Sequence, residues 1–477
     1  MSEDKFGDIR QVKWVHLIGI GGAGLSAIAT VLLERGYQVW GSDLYPSANT
    51  RRLQEMGARV YIGHATEQVG GAQMVIASSA IPADNVELVA ARSRGLPILK
   101  RDQVFSQLTA GHCCVAVAGT HGKTTTTAMI AWTLLQAGHD PSFIVGGTMM
   151  GLGTNARAGR GQHFVVEADE YNYAFLGLMP RLAVVTHLEP DHPDCFPDLE
   201  AMSAAFRAFL HRVEPQGAII GCGDAPNLEA LLTEMRGGTA CAGSRLPVPR
   251  VLTYGLEDGW DWVGRDLEVN GRGGVDFVAW HGQKRLGMVQ ISVPGVHNVR
   301  NALGSLTAAQ QLGVSFDCAR MALATFQGTE RRFEVKGEAR GVTVIDDYAH
   351  HPTQIRATLA AARSRYGARE LWAVFQPHTY SRTKALLEEF AASFEDADHV
   401  VVTDIYAARE FDDLSISAAD VVAHIDHPDA HYIADLDGAV AYLLPHLLPG
   451  NVLITLGAGD VHRVGQDILA KSKGEEG

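Results

Sequence analysis

The chain has 477 residues, 46% of them hydrophobic and 20% charged, with a formal net charge of −14. At roughly 100–200 residues per domain this length spans two to four domains, each able to bury its own core without disulfide or metal staples. The acidic balance excludes the basic footprint of a nucleic-acid binder, though a single local basic site would still serve an anionic substrate.

The first apolar strand is expected at Val12 to Ile18. A glycine turn follows, and then Leu25, Ile28, Ala29, Leu32 and Leu33 recur at helical spacing until Gly36. A second strand, Tyr37 to Gly41, leads to Asp43, completing a β-α-β unit. Met74 to Ala77 and Pro97 to Leu99 read as further strands of the same sheet. The pattern lapses around Gln103 to Gly111, where a boundary is placed. It restarts with a strand at Cys114 to Ala118, a loop, and a helix from about Lys123 to Ala137. Phe164 to Glu167 and Leu182 to Thr186 read as buried strands. From Pro247 to Val293 glycine-rich turns separate short alternating stretches, which predicts antiparallel strands. A helix is expected from Asn298 to Leu312, with a second boundary near Thr329 to Arg332. Strands at Val342 to Ile345, Leu371 to Phe375, His399 to Thr403 and Val452 to Leu456 alternate with helical stretches, and the tail from Lys471 to Gly477 is expected to fray. The fold class is therefore α/β. Three domains in series are expected, a Rossmann-like one over 1–109, a P-loop-type one over 110–329 and a Rossmann-like one over 330–477.

No apolar run of about 18 residues occurs, so no membrane-spanning helix is expected. The opening MSEDKFGDIRQVKW is acidic where a signal peptide is basic, so the expectation is a cytoplasmic protein with no membrane or nucleic-acid partner. The cysteines Cys113, Cys114, Cys195, Cys222, Cys241 and Cys318 form no C-x-x-C pair and read as reduced, packed thiols.

Two glycine loops carry the chemistry. Gly19-Ile20-Gly21-Gly22-Ala23-Gly24 fits G-x-G-x-x-G between a strand and a helix, the setting in which a diphosphate rests on a helix N-terminus. Asp43 stands where a ribose-binding acid is expected. Alone, this loop suggests NAD or FAD, or glycines used only for tight packing. The second loop is Gly119-Thr120-His121-Gly122-Lys123-Thr124-Thr125. Val117 occupies the first glycine position of the full P-loop pattern, but the backbone N–H groups, Lys123 and the Thr124 hydroxyl are those needed for the phosphates of ATP and a Mg²⁺ ion. A Thr-rich helix cap is the bland reading, and it leaves a lysine opposing the helix dipole with no anion to justify it. A dehydrogenase has no use for the second loop. An enzyme that joins a nucleotide-linked substrate to something else at the expense of ATP needs both.

HLIGIGGAG, GSD, SSAIP, VAGTHGKTTTTAMI, EADE, LEPDHPD, PGVHNVRNALG, RRFE, DDYAHHPTQIRATL, FQPHTYSRTKAL, VTDIYAARE and GAGD occur in this order, and in these pieces the chain resembles the Mur ligases of peptidoglycan synthesis over nearly its whole length. The resemblance implies domains for a UDP-linked substrate, for ATP and for an amino acid. It is nearest to the branch that joins L-alanine to the lactyl carboxylate of UDP-N-acetylmuramate through an acyl phosphate, releasing ADP and phosphate. It places the UDP-substrate at Gly19, Gly21, Gly22, Ala23, Gly24, Asp43, Ser78 and Ser79. It places ATP at Gly119 to Thr125 with His297, Asn298, Asn301 and Asp347. Thr124, Glu170 and His192 are implied Mg²⁺ ligands, and Lys123, Glu170, His192 and Arg332 the catalytic set. Tyr348, His350, His378 and Arg382 are implied at the amino-acid end, Arg382 as a clamp on a carboxylate. Each has a plainer alternative: a helix-capping acid for Glu170, a surface histidine for His192, an N-cap for Asn298, a solvated basic pair for Arg331 and Arg332. No claim attaches to Thr379, where some members carry arginine. Several siblings hold a metal with a carbamylated lysine, and no lysine lies between Lys123 and Lys284 here. A monomer or weak homodimer is expected. The rival readings are a recycling ligase that attaches a murein tripeptide to UDP-N-acetylmuramate, an NAD-dependent oxidoreductase, and a non-catalytic ATP-dependent switch.

Overall fold

The computed structural model of the protein describes residues 7–238, 248–408, 410–412 and 415–474. They fall into two compact units, one built from 1–188, 203–255 and 304–322, the other from 189–202, 256–303 and 323–477.

The first unit holds two sheets. Its N-terminal sheet runs in the order Arg59–Ile62, Gln38–Asp43, Trp14–Ile18, Met74–Ala77 and Ile98–Leu99, all parallel. The order reverses at Trp14–Ile18, so the Gly19 loop and Ser78, which follow its two innermost strands, stand at the switch point where open α/β sheets bind ligands. The stretch from Gln103, where no pattern was visible, is a helix, Arg101–Thr109. Only Val104, Phe105, Leu108 and Thr109 of it are buried, and so short an apolar face carries little periodic signal.

The second sheet of this unit includes, in order, Arg250–Gly255, Ala218–Cys222, Leu182–Val185, Cys113–Ala118, His163–Glu167, Ser142–Met149 and Thr154–Arg157. All these pairings are parallel except the last. Val115 to Ala118 are buried on both faces of the sheet, which explains their unbroken apolar run. Arg250–Gly255 corrects the expectation of antiparallel strands from residue 247 onward. It pairs parallel with Ala218–Cys222, because it ends a crossover through the helix Pro226–Gly238. Pro247 itself, Cys241 and the tail residues 475–477 lie outside the described residues. The helix His462–Gly474 extends through the first part of the expected frayed tail.

In the second unit Trp262–Val269, Val275–His281 and Lys284–Ile291 form the antiparallel meander read from the alternating stretches. The C-terminal sheet runs Glu334–Ala339, Val342–Asp347, Val452–Leu456, Leu371–Phe375, His399–Val402, Ala430–Tyr432, parallel after its first, antiparallel pair. Ile345, Phe375 and Ile454 pack on one face, while Val344, Val374 and Leu453 pack on the other. Asp346 and Asp347 do not follow their strand as expected but are its last two residues. Among the described residues no helix is long and apolar enough to cross a membrane.

Candidate functional site

Lys123 opens the helix Lys123–Gln136, and Gly122, with φ of 77°, caps it. The run Thr124 to Thr127 is a poor helix former, yet all four residues are buried, and the Thr127 hydroxyl donates to the Lys123 carbonyl at 2.8 Å. Tertiary packing therefore forms this first turn. Gly119 has φ of 129°, and a Cβ there would lie 2.8 Å from the His187 nitrogen and 3.0 Å from its oxygen. Only glycine lets the loop fold against Thr186 and His187, where the Thr120 N–H reaches the His187 carbonyl at 3.1 Å and the Thr186 hydroxyl bonds the carbonyls of Ala118 and His121. His121 stacks on His187, their rings 5.5 Å apart.

The Lys123 ammonium donates to the Gly119 carbonyl at 2.6 Å and to both Glu170 oxygens at 2.7 and 2.8 Å. Burial works against its charge, but Glu170, Asp169 and Glu167 together outweigh that and hold its pKa above the usual lysine value. Glu170 is fully buried and stands at the N-cap of the turn Tyr171–Gly177, but its side chain makes no capping bond there. Thr124 donates its hydroxyl to Glu167 Oε1 at 3.1 Å, and the Gly146 N–H donates to Oε2 at 2.7 Å. Glu167 was quoted within EADE but given no role, and its place as the last residue of the strand His163–Glu167 was the available signal.

At the first loop the Gly21 N–H donates to Asp43 Oδ2 at 2.8 Å, and Asn49 donates to the Gly21 carbonyl at 2.9 Å. Gly22 caps the helix Ala23–Glu34, which contains Gly24. Ser78 lies against Gly19, and Ser79 is exposed beside it. The structure thus gathers every residue read for the UDP-substrate along one sheet edge.

His192 belongs to the second unit, with φ of 54°, next to Asp191. Arg382 is buried and donates from Nε and Nη2 to Asp191 Oδ1 at 3.0 and 2.8 Å, while its Nη1 lies 3.2 Å from His378 Nδ1. Burial disfavours the Asp191 charge, but Arg382, then His192, His351 and His350, hold its pKa well below the usual range. The guanidinium read as a substrate clamp thus already grips a carboxylate of this chain, one that sequence reasoning passed over. From His378 a chain of rings runs through His350 to Tyr348, with centroids 5.9 and 5.3 Å apart, and His378 stacks on Tyr406 at 5.7 Å. Burial and Arg382 push the His350 pKa well down.

Asn298 is the third residue of the helix Val296–Gln311, not its N-cap. Its amide donates to the Pro294 carbonyl at 2.7 Å and its oxygen accepts from Asn301 at 2.9 Å. Burial, with Arg300 and Arg332, pushes His297 down to about 4, so its ring is neutral at pH 7. Arg331 and Arg332 both lie over the Tyr348 ring, each 5.0 Å from its centroid, and Arg331 also donates to Asp346 at 3.0 Å and to the Gly457 carbonyl at 2.7 Å. Asp347 accepts N–H groups of Phe333 and Ala349, both at 2.8 Å, and burial raises its pKa. It ties its strand to the segments on either side. Among the described residues Cys113, Cys114, Cys195, Cys222 and Cys318 form no disulfide, and burial pushes the Cys114 thiol up to about 12.

Residues 14–112 match the Mur ligase family, catalytic domain, residues 117–309 the Mur ligase middle domain, and residues 331–459 the Mur ligase, glutamate ligase domain. The chain belongs to the Mur ligase family. It is 40% identical to a UDP-N-acetylmuramate–L-alanine ligase of Caldanaerobacter subterraneus subsp. tengcongensis over 98% of this chain and 99% of that one. It is 43% identical to one from Salinibacter ruber, over 98% and 95%. Among solved structures it resembles the UDP-N-acetylmuramate-alanine ligase of Thermotoga maritima, with a TM-score of 0.80, 26% identity, and coverage of 97% and 99%. A murein peptide ligase of Psychrobacter arcticus matches with a TM-score of 0.72 at 26% identity, over 96% and 98%.

Proposed function

We propose that this Mur ligase joins L-alanine to the lactyl carboxylate of UDP-N-acetylmuramate, with ATP converted to ADP and phosphate, in the cytoplasmic synthesis of peptidoglycan precursor. The observation that carries the reading is full-length identity of about 40% to relatives bearing that activity in their names. Residues 1–109 take the UDP-substrate, 110–329 ATP and 330–477 the amino acid.

The carboxylate is a poor electrophile. Its oxygen attacks the γ-phosphorus, the bond to ADP breaks, and an acyl phosphate forms. The amine nitrogen then attacks the acyl carbon, the C–O bond to phosphate breaks, and the amine loses a proton. Charge moves among anionic oxygens throughout, so fixed donors and cations lower the barrier. The loop N–H groups from Gly119 to Thr125 and the Lys123 ammonium hold the phosphates. Arg332 supplies a further cation, while Tyr348, His350, His378 and Arg382 form the amino-acid end. His297, Asn298, Asn301 and Asp347 complete the nucleotide site, Asp347 by fixing backbone.

The Thr124 hydroxyl and the carboxylates of Glu167 and Glu170 are hard oxygen donors that suit Mg²⁺, with His192 as the implied further ligand. Bound there, Mg²⁺ would neutralise phosphate charge.

Release of ADP by purified protein, with UDP-N-acetylmuramate and either L-alanine, L-serine, glycine or the murein tripeptide, tests the reading. Turnover with L-alanine is expected, and turnover with the tripeptide alone would overturn it.

A further inference from the structure

The first unit contains a second cation placed as Lys123 is. Arg101 opens the helix Arg101–Thr109, where a positive charge opposes the helix dipole. The cap of that helix does not use it, because Gln103 accepts the Lys100 N–H at 2.8 Å. Arg101 Nη2 donates to Asp169 Oδ2 at 2.5 Å, and Asp169 directly precedes Glu170, the partner of Lys123. The other side of the arginine runs over the first loop. A Cβ on Gly24 would come within 3.2 Å of Nη1 and 3.3 Å of Cδ. The absent side chain of Gly24 is therefore the space through which Arg101 passes. About 30% of the Arg101 side chain remains exposed, against 5% for Arg382. Asp169 fixes one edge of the guanidinium and the Phe105 ring lies 5.9 Å from its carbon, yet part of the side chain still reaches solvent.

A substrate with its diphosphate on the first loop and its reacting carboxylate at Lys123 must cross this ground. We infer that Arg101 is a substrate-binding residue that holds the carboxylate to be phosphorylated, with Asp169 fixing the plane of the guanidinium. The inference deepens the proposed function and rests on it. A planar fork suits the task, since it can grip two carboxylates at once, one of the chain and one of the substrate.

The test measures binding of UDP-N-acetylmuramate and of UDP-N-acetylglucosamine, which lacks the lactyl carboxylate, to wild type, Arg101→Gln and Arg101→Lys by titration calorimetry. A charge-assisted hydrogen bond implies a loss of about 10–100-fold for UDP-N-acetylmuramate in Arg101→Gln and a smaller loss in Arg101→Lys. Affinity for UDP-N-acetylglucosamine and KM for ATP should change less than about twofold. Equal losses for both sugar nucleotides would overturn the assignment in favour of a diphosphate or purely structural role, and no loss for either would overturn it outright. Should Arg101→Gln not fold, the ratio of the two affinities in Arg101→Lys decides. Binding is measured without ATP or amino acid. Failure of wild type to release ADP with L-alanine would therefore count against the proposed function and leave the Arg101 measurement standing.

Discussion

Lys123 and Arg382 are both shielded cations facing a buried carboxylate, Glu170 in one unit and Asp191 in the other. Their surroundings differ. Around Lys123 the strand end supplies Glu167, Asp169 and Glu170 for Lys123 and Arg101, an excess of negative charge. Around Asp191 the neighbours are Arg382 and the imidazoles of His192, His350 and His351. On the proposed function, the first arrangement is suited to exchanging partners when phosphate and a divalent cation arrive. The second locks one partner in place among imidazoles.

The sharpest way to break this contrast is Lys123→Met. Loss of a cation aimed at the transferring phosphoryl group should lower kcat about 10²–10³-fold or more, whereas UDP-substrate binding, seated on the other loop, should persist. Wild-type ADP release from this variant would remove Lys123 from the ATP site. Next comes Asp191→Asn. It leaves the buried Arg382 charge unbalanced and should cost about 3–5 kcal/mol in urea unfolding. A change below ~1 kcal/mol would show that the Asp191–Arg382 pair does not hold the second unit together.

Acid should weaken both units through their buried histidines. His297 and His350 have folded pKa values below the ordinary 6.5, so the unfolded chain takes up their protons first and stability falls as pH drops below about 6.5, toward about 4 for His297. Asp191 has a depressed pKa too, but its contribution is lost only further down, below the ordinary carboxylate value of 3.8. Asp169 behaves in the same way in the first unit, and Lys123 stays charged across this range. The first unit carries depressed histidines as well, His112 and His163, so hydrogen exchange between pH 6.5 and 4 should loosen both units, and His297→Asn should remove part of the slope in the second. The smallest effect is expected at Thr379, a β-branched residue with φ of 66°. Its strain is held by the Tyr406 carbonyl on its N–H and by Thr383, whose N–H and hydroxyl both reach its carbonyl. Thr379→Gly should raise stability by about 1 kcal/mol.

Strand ends and glycine loops were legible because each follows a fully buried apolar run, as Val115 to Ala118 precede Gly119. What escaped were pairings between distant residues. Nothing local in LEPDHPD says that Asp191 meets a residue 191 positions away, and nothing in LKRDQ says that Arg101 meets Asp169. Asn298 illustrates the same limit. A residue type that caps helices reads as a cap until the helix is seen to start two residues earlier, at Val296.

Asp169 and Glu170 are neighbours in the chain, at the head of one short turn, Tyr171–Gly177, and each answers a different cation. An anion that draws Lys123 away from Glu170 also alters the field at Asp169 and Arg101. With the sugar nucleotide on the first loop and ATP on the second, as proposed, occupancy of the two would be coupled through a single peptide unit. Thermodynamic reciprocity then requires that any factor by which nucleotide changes affinity for the sugar substrate reappear, undiminished, in the effect of the sugar substrate on nucleotide.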